Sequence, residues 1–382
     1  MRGFLIAFAF FLAVPNGTAQ RHRLSTINAE TPEGALLQQI GQEEDTAKKL
    51  ALLEKFAAEH PKHEAILWVY EQQYAAYAKA NQFDKALESC DKLLTADPED
   101  ARSAHGCLKA AEAKKDPDAI RTWSERGSQV ARKVAALPKP AGEEEAAEWT
   151  ERVDFARQFD VYTEYSLYAA ALATTDAKKK LELLETLERR NEKYEHLPVV
   201  RDHVFRSLLQ AQDVPGAVAL SERLAAKDQA TEDMLLLVAH TALNAREFDK
   251  AIGTAGKLIG VMSARTKPDN MSDADWTARR NNLLGRAHYI AGVAYGIQSK
   301  HSQCDKTLRE GLPFMEGNNQ LLAGAYFYLG LANFRLGDLK TPVKERILDA
   351  LKFNQLCAGI KSPFQAQAQS NIKAIRSQYH IK

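Results

Sequence analysis

LWVYEQQYAAYAKANQFDKALESCDKLLTADPED, residues Leu67–Asp100, is two amphipathic helices written end to end. In its first half Leu67, Tyr70, Tyr74 and Tyr77 recur at three- and four-residue steps. An α-helix puts such positions on one face. Lys79-Ala80-Asn81 breaks the pattern, with a turn at Asn81-Gln82. Phe83 opens a second run through Ala86, Leu87, Cys90, Leu93 and Leu94. Asp97-Pro98 closes it, because proline restricts the residue before it and has no N–H for the next helical bond. So short a turn makes the two helices antiparallel. Each carries an apolar face too wide for one partner to cover, so further units must stack on the pair.

Tyr70-x2-Gln73-Tyr74-x2-Tyr77, followed by Ala86-x3-Cys90-x2-Leu93 and Pro98, resembles the tetratricopeptide repeat, W-x2-L-G-x2-Y…A-x3-F…A…P, with its period of about 34 residues. Gln73 and Tyr74 stand where that family has Leu-Gly. Glu232–Arg265 is a cleaner copy, with Leu235, Val238, Ala239 and Ala242, then Phe248, Ala251, Ala255 and Leu258. Tyr326-x2-Leu329-Gly330-x2-Asn333 is the best first helix. The resemblance runs from about Thr31 to Lys382, with roughly seven units. It implies an all-α fold, a right-handed α-solenoid of antiparallel helix pairs whose first helices line a concave groove for a peptide or protein segment.

Composition agrees with helices. The 382 residues include only 20 Gly and 13 Pro, so breakers are sparse. The first 19 residues read as a secretory signal peptide: Arg2, the apolar run Phe4–Val14, then Pro15-Asn16-Gly17 and small residues ending at Ala19. That run is too short to span a bilayer. Export, to a periplasmic or extracellular location, is therefore expected. Lys and Arg number 51 against 50 Asp and Glu, and the two balance once Arg2 is removed. No basic tract supports a nucleic-acid partner.

The remaining chain divides by its punctuation. Residues 20–30 read as a polar, mobile leader and 31–137 as N-terminal repeats, with Thr31-Pro32 starting the first helix. Pro138-Lys139-Pro140-Ala141-Gly142 is a linker (138–142). Central repeats cover 143–265. C-terminal repeats with a long helix, opened by the capping-box pattern Ser272-x2-Asp275, cover 266–361. A polar-sided capping helix closes the chain at 362–382.

Chemistry-bearing patterns are few. Cys90 and Cys107 flank the Asp97–Asp100 turn at similar distances, which sets them at equal height on antiparallel neighbours. An oxidising compartment would allow a disulfide there if they face each other; two buried free thiols are the alternative. Cys304 begins one second helix and Cys357 ends another, so no pairing is expected between them. His60-x2-His63-Glu64 straddles a helix boundary at Pro61 and matches no metal-ligand spacing. Gly253-x2-Gly256-Lys257-Leu258 lacks the spacing and the hydroxyl of a phosphate loop. With no catalytic signature, the chain is read as a non-enzyme, and no cofactor or metal is implied.

Repeat register names the groove candidates: Trp68, Glu71, Ala75 and Lys79; Tyr162, Tyr165 and Ala169; Leu236, His240 and Asn244; Arg286, Tyr289 and Val293; Phe327, Leu331 and Arg335. Aromatic and Arg side chains suit interface anchors. Glu71 stands where the family's carboxylate clamp would need a basic residue, which counts against an acidic C-terminal peptide. The expected function is an exported scaffold that binds a protein or peptide segment, of unknown identity, in this groove. Two other classes stay open: an enzyme or small-molecule binder with a pocket between the long helices, and a structural spacer in a cell-envelope assembly. The long helices share Trp149-Thr150-x-Arg152 and Trp276-Thr277-x-Arg279 near their starts, which suggests either a contact surface or two tryptophans covering neighbouring apolar patches.

Overall fold

The computed structural model describes residues 22, 24, 27–338, 341 and 343–381. The signal-peptide stretch lies outside them. Among the described residues there are seventeen α-helices and one 3-10 turn, and no strand. They are α1 Pro32–Gln42, α2 Thr46–Glu59, α3 Ile66–Lys79, α4 Phe83–Ala96, α5 Ala101–Lys114, α6 Pro117–Ala135, α7 Glu143–Ala173, α8 Ala177–Arg190 and α9 Leu197–Gln210. Then follow α10 Val214–Ala225, α11 Glu232–Asn244, α12 Phe248–Ala264, α13 Asp273–Ile297, α14 His301–Gly311, α15 Asn319–Gly337, α16 Lys344–Ala358 and α17 Gln365–Tyr379. Two compact units meet at Val204 and Phe205, inside α9.

In the first unit each helix from α1 to α8 packs on the next, and α3, α5 and α7 also pack on one another in series. In the second unit α10 to α17 do the same, with α11, α13 and α15 in series. Antiparallel pairs whose first helices are also mutual neighbours are the packing of an all-α solenoid, as expected.

The hairpin turns explain why the pairs repeat. Asn81, Lys115, Gln212, Arg246 and Ser299 all adopt the left-handed conformation, with φ between 57° and 62°. Each directly precedes the N-cap of a second helix: Gln82, Asp116, Asp213, Glu247 and Lys300. At four of these turns the N-cap N–H donates to a carbonyl five residues back: Tyr77, Leu208, Ala242 and Tyr295, at 2.8–2.9 Å. One left-handed residue therefore stops the first helix and reverses the chain.

Caps then restart the helices. Thr31, Asp45, Asp100, Asp116, Asp176, Asp213, Thr231, Ser272 and Asn318 each accept a backbone N–H in the first turn that follows. Thr31 and Ser272 occupy the cap positions read from the sequence. The core follows the apolar periodicity: Cys90, Leu93, Ala104, Cys107 and Leu108 are fully buried in the first unit, and Ala251, Ala255, Leu258, Leu284 and Leu329 in the second. Gly330 marks a close approach; a Cβ there would fall 2.4 Å from the Asn354 side chain of α16.

Two side chains of the polar leader are packed. Leu24 lies against the cluster of Leu36, Ile40 and Phe56, and His22 is half-buried beside Asp97 and Asp100. The tryptophans of the long helices are both engaged. Trp149 Nε1 donates to the Leu137 carbonyl at 3.0 Å, and Trp276 packs on the α11–α13 core.

Candidate functional site

The first-helix face of the first unit carries a continuous strip of rings. It begins on α5 with His105, whose ring meets Phe155, Phe159 and Tyr162 of α7 edge-on at 5.3–5.9 Å. It continues along α7, because steps of three residues keep Tyr162, Tyr165 and Tyr168 on neighbouring positions of one face. Their centroids are 6.1 Å apart at each step. It ends on the α8–α9 connection, where His196 lies 5.0 Å and Tyr194 6.2 Å from Tyr168.

Tyr162 is the hub of this strip. Its hydroxyl donates to the Glu112 carboxylate at 2.7 and 2.9 Å, and Ser166 Oγ donates to the same group at 2.8 Å. Lys109 pairs with Glu112 at 3.0 Å and stands 4.4 Å over the Tyr162 ring. Burial, then the Glu112 carboxylate, raise the Tyr162 phenol, so it stays a donor. His105 is driven the other way: burial, then Lys109, lower it to about 4, so the ring is neutral at physiological pH. The hub is rigid and its charges are paired.

Tyr165 differs. It is 49% exposed, and shares its helix with Val161, 67% exposed. An exposed aromatic held between two other tyrosines is pre-positioned apolar surface.

The other register-derived residues fall in several settings. Trp68 packs on the α1–α3 core, and Lys79 is exposed at the end of α3. Glu71 is buried, and its carboxyl is raised to about 7 by burial and then by Asp100. On α11, His240 and Asn244 are exposed and 3.5 Å apart. Arg286 is half-buried on α13. Tyr289 joins the α14–α16 core, where its hydroxyl end lies against Gly324 of α15. Phe327 stacks on Phe364 of the chain's own C-terminal segment, with centroids 4.9 Å apart, and Arg335 is exposed near the end of α15. Repeat register thus brings Tyr162 and Tyr165 together in one unit, and His240 with Asn244 in the other.

Sequence reasoning missed three features. Asp305 of α14 is buried and accepts from Asn333 at 2.6 Å, Arg309 at 2.7 Å and Arg346 at 2.7 Å. Burial alone would raise its carboxyl; the three donors outweigh it and hold the group below the usual range. Asn333 in place of the repeat's aromatic was the signal. The second is the clamp of Arg190, which donates to Asp160 at 3.3 Å, Thr163 at 2.6 Å and the Ser124 carbonyl at 3.4 Å, tying α6, α7 and α8. The third is a cleft of about 340 Å³ among α2, α3 and α4, lined by Glu54, Tyr70, Gln73, Tyr77, Lys85 and Lys92. Its polar groups pair with each other: Tyr77 with Glu54, and Lys85 with Glu54.

Cys90 and Cys107 are joined by a disulfide, their Cα atoms 5.9 Å apart, which ties α4 to α5. Cys304 and Cys357 are free and buried, and burial raises their thiols to about 12 and about 11. His63 Nδ1 accepts the Ala65 N–H at 3.0 Å, and His60 and His63 both pack their rings on Phe56. No helix among the described residues is long and apolar enough to cross a membrane.

No family model matches this sequence, and no curated protein matches it. Solved structures do. The P58(IPK) TPR domain is 9% identical, covering 92% of this chain and 99% of its own, at a TM-score of 0.29. Yeast Tom70 is 10% identical, covering 92% and 89%, at 0.23. The Naa15/Naa10 complex bound to HypK is 15% identical, covering 94% and 72%, at 0.23. The fold assignment stands on the helix pairing and turn geometry of the chain itself.

Proposed function

We propose that this chain is an exported scaffold that holds a protein partner, as an apolar peptide segment, along the first-helix face of α5 and α7. The observation that carries the reading is Tyr165: a half-exposed ring between Tyr162 and Tyr168, beside the exposed Val161. A rigid aromatic with few rotatable bonds loses little entropy on binding, and the fixed Tyr162–Glu112 hub beneath it removes the cost of ordering the site. Lys109, half-exposed at the edge, would orient the segment rather than supply affinity.

The signal-like start of the sequence supports export, and a disulfide between fully buried cysteines suits an oxidising compartment. Phe327 and Tyr289 are weaker anchors than Tyr165, because Phe364 covers the first and the α14–α16 core holds the second.

The test is a photo-reactive side chain placed at Val161, or at Lys79 as a control, in the protein in its native envelope. Capture of a polypeptide from position 161, abolished by Tyr165→Ala with unchanged helicity, is the expected result. Capture that persists in the Tyr165→Ala protein, or occurs from position 79 only, would sink the reading.

A further inference from the structure

The cleft among α2, α3 and α4 is closed by its own pairs at one end only. There Glu54 accepts from Tyr77 and pairs with Lys85. Toward the other end it is lined by Gln73, Glu88, Ser89 and Lys92, with Tyr70 as a wall. Gln73 is 5% exposed, yet the one contact of its amide is the Ser89 hydroxyl, 3.5 Å from Oε1. The single hydrogen of that hydroxyl already serves the Lys85 carbonyl at 3.0 Å. Among the described residues Gln73 Nε2 has no partner. A buried amide left in this state is costly, and the open side of the cleft is where a partner can reach it.

A separate observation comes from α4. Glu88 and Lys92 stand one turn apart, the spacing at which Glu and Lys ordinarily pair. They do not pair here. Among the described residues neither has an ion-pair partner, and Lys92 Nζ stands 5.8 Å over the Tyr70 ring instead. One negative and one positive group therefore line the same cleft as the incomplete amide, with no charge of the chain paired to either.

We propose that this cleft binds a dipeptide with free ends: its ammonium on Glu88, its carboxylate on Lys92 and its peptide bond on Gln73. The lengths agree. Four residues of helix rise about 6 Å, and two extended residues reach about 7 Å. A single amino acid reaches half as far, and a tripeptide overshoots. A peptide unit carries both an N–H and a C=O, so it completes the Gln73 amide whichever way that amide is turned. The volume of about 340 Å³ lies at the lower end for small-molecule sites, which suits a ligand of this size. Tyr70 gives the ligand a rigid apolar wall. These contacts fall on parts that every dipeptide shares, so the site accepts dipeptides of differing side chains. It shares no residue with the ring strip of α5 and α7, and the inference does not depend on the reading of that strip.

The test is calorimetric titration of the full chain with L-alanyl-L-alanine. Saturable binding of one dipeptide per chain is expected, weakening as salt is raised. Acetylating the amine of the probe, amidating its carboxylate, or replacing it by L-alanine should each weaken binding about fivefold, the worth of one exposed ion pair. Glu88→Gln and Lys92→Met, both at exposed positions, should each do the same with helicity unchanged. Gln73→Leu should cost about tenfold. Lys55→Met, exposed on α2 outside the cleft, should leave binding as it is. No saturable binding by the parent chain, blocked probes held as tightly as the free dipeptide, or undiminished affinity in both charge variants would each overturn the proposal.

Discussion

The hydroxyl of Tyr162 on α7 donates to both carboxylate oxygens of Glu112 on α5, at 2.7 and 2.9 Å, so one phenol fixes the register of two neighbouring first helices. Tyr162→Phe should destabilise the protein by about 1–1.5 kcal/mol, since Ser166 and Lys109 still reach Glu112. The ring remains, so binding at Tyr165 should survive. Tyr165→Ala should do the reverse, leaving the denaturation midpoint within about 0.5 kcal/mol of the parent while binding falls. Urea unfolding of the two variants, beside the cross-linking assay, separates the roles.

His105 makes the first unit acid-sensitive. Its folded pKa is about 4, lowered by burial among Phe155, Phe159 and Tyr162 and then by Lys109, with Glu112 opposing. In the unfolded chain it is near 6.5. Between those values the unfolded state binds the extra proton, so stability falls as pH drops from about 6.5 toward 4 and is unaffected above. The full effect is at most about 3 kcal/mol. His105→Phe should flatten this part of the pH profile of the urea midpoint; an unchanged slope would remove His105 as its cause.

Reducing the Cys90–Cys107 bond reopens a loop of 17 residues. The expected loss is about 3 kcal/mol, seen as a lower midpoint in reductant. Thiol counting under denaturing, non-reducing conditions should find two reactive cysteines, Cys304 and Cys357. Four would mean that the bond does not form.

Asp305→Ala should be among the more damaging changes in the second unit. It takes from the fully buried Asn333 one of its two acceptors, leaving the Leu329 carbonyl, and removes the carboxylate that Arg309 and Arg346 share. Both guanidinium groups reach solvent, so their share is discounted and the expected cost is about 2–3 kcal/mol. Asp349→Ala, which cuts only the outer Arg309 contact, should cost under about 1 kcal/mol. Equal costs in a denaturant series would show that the network is not centred on Asp305.

The helix pairs were legible because periodicity and punctuation are local. Tyr70, Tyr74 and Tyr77 mark one face, Asn81-Gln82 the turn, and Asp97-Pro98 the stop, all within one stretch. The Cys90–Cys107 bond was legible only as a possibility: antiparallel neighbours equalise height about a turn, but whether the two thiols face each other is set by packing. Tyr162 and Tyr165 were reachable by register. Tyr289 and Phe327 had the same register, yet their exposure depends on Gly324 and Phe364, and register alone carries no information about a distant cover. His22 beside Asp97 and Asp100 was illegible for a similar reason: only tertiary packing brings residues so distant in the chain together.

The left-handed residue before each second helix has a bearing on how this chain can change its length. Asn81 and Lys115 stand 34 positions apart, as do Gln212 and Arg246, each with the same backbone twist and the same following cap position. Joining Gln212 directly to Glu247 would therefore rebuild an identical corner with one helix pair fewer. Arg246 and Ser299 carry the same twist at a wider spacing, so a deletion that runs from one corner to the next keeps the joint whatever its size, whereas one that ends within a helix pair breaks that pair. The protein's length is, in that sense, quantised by its corners.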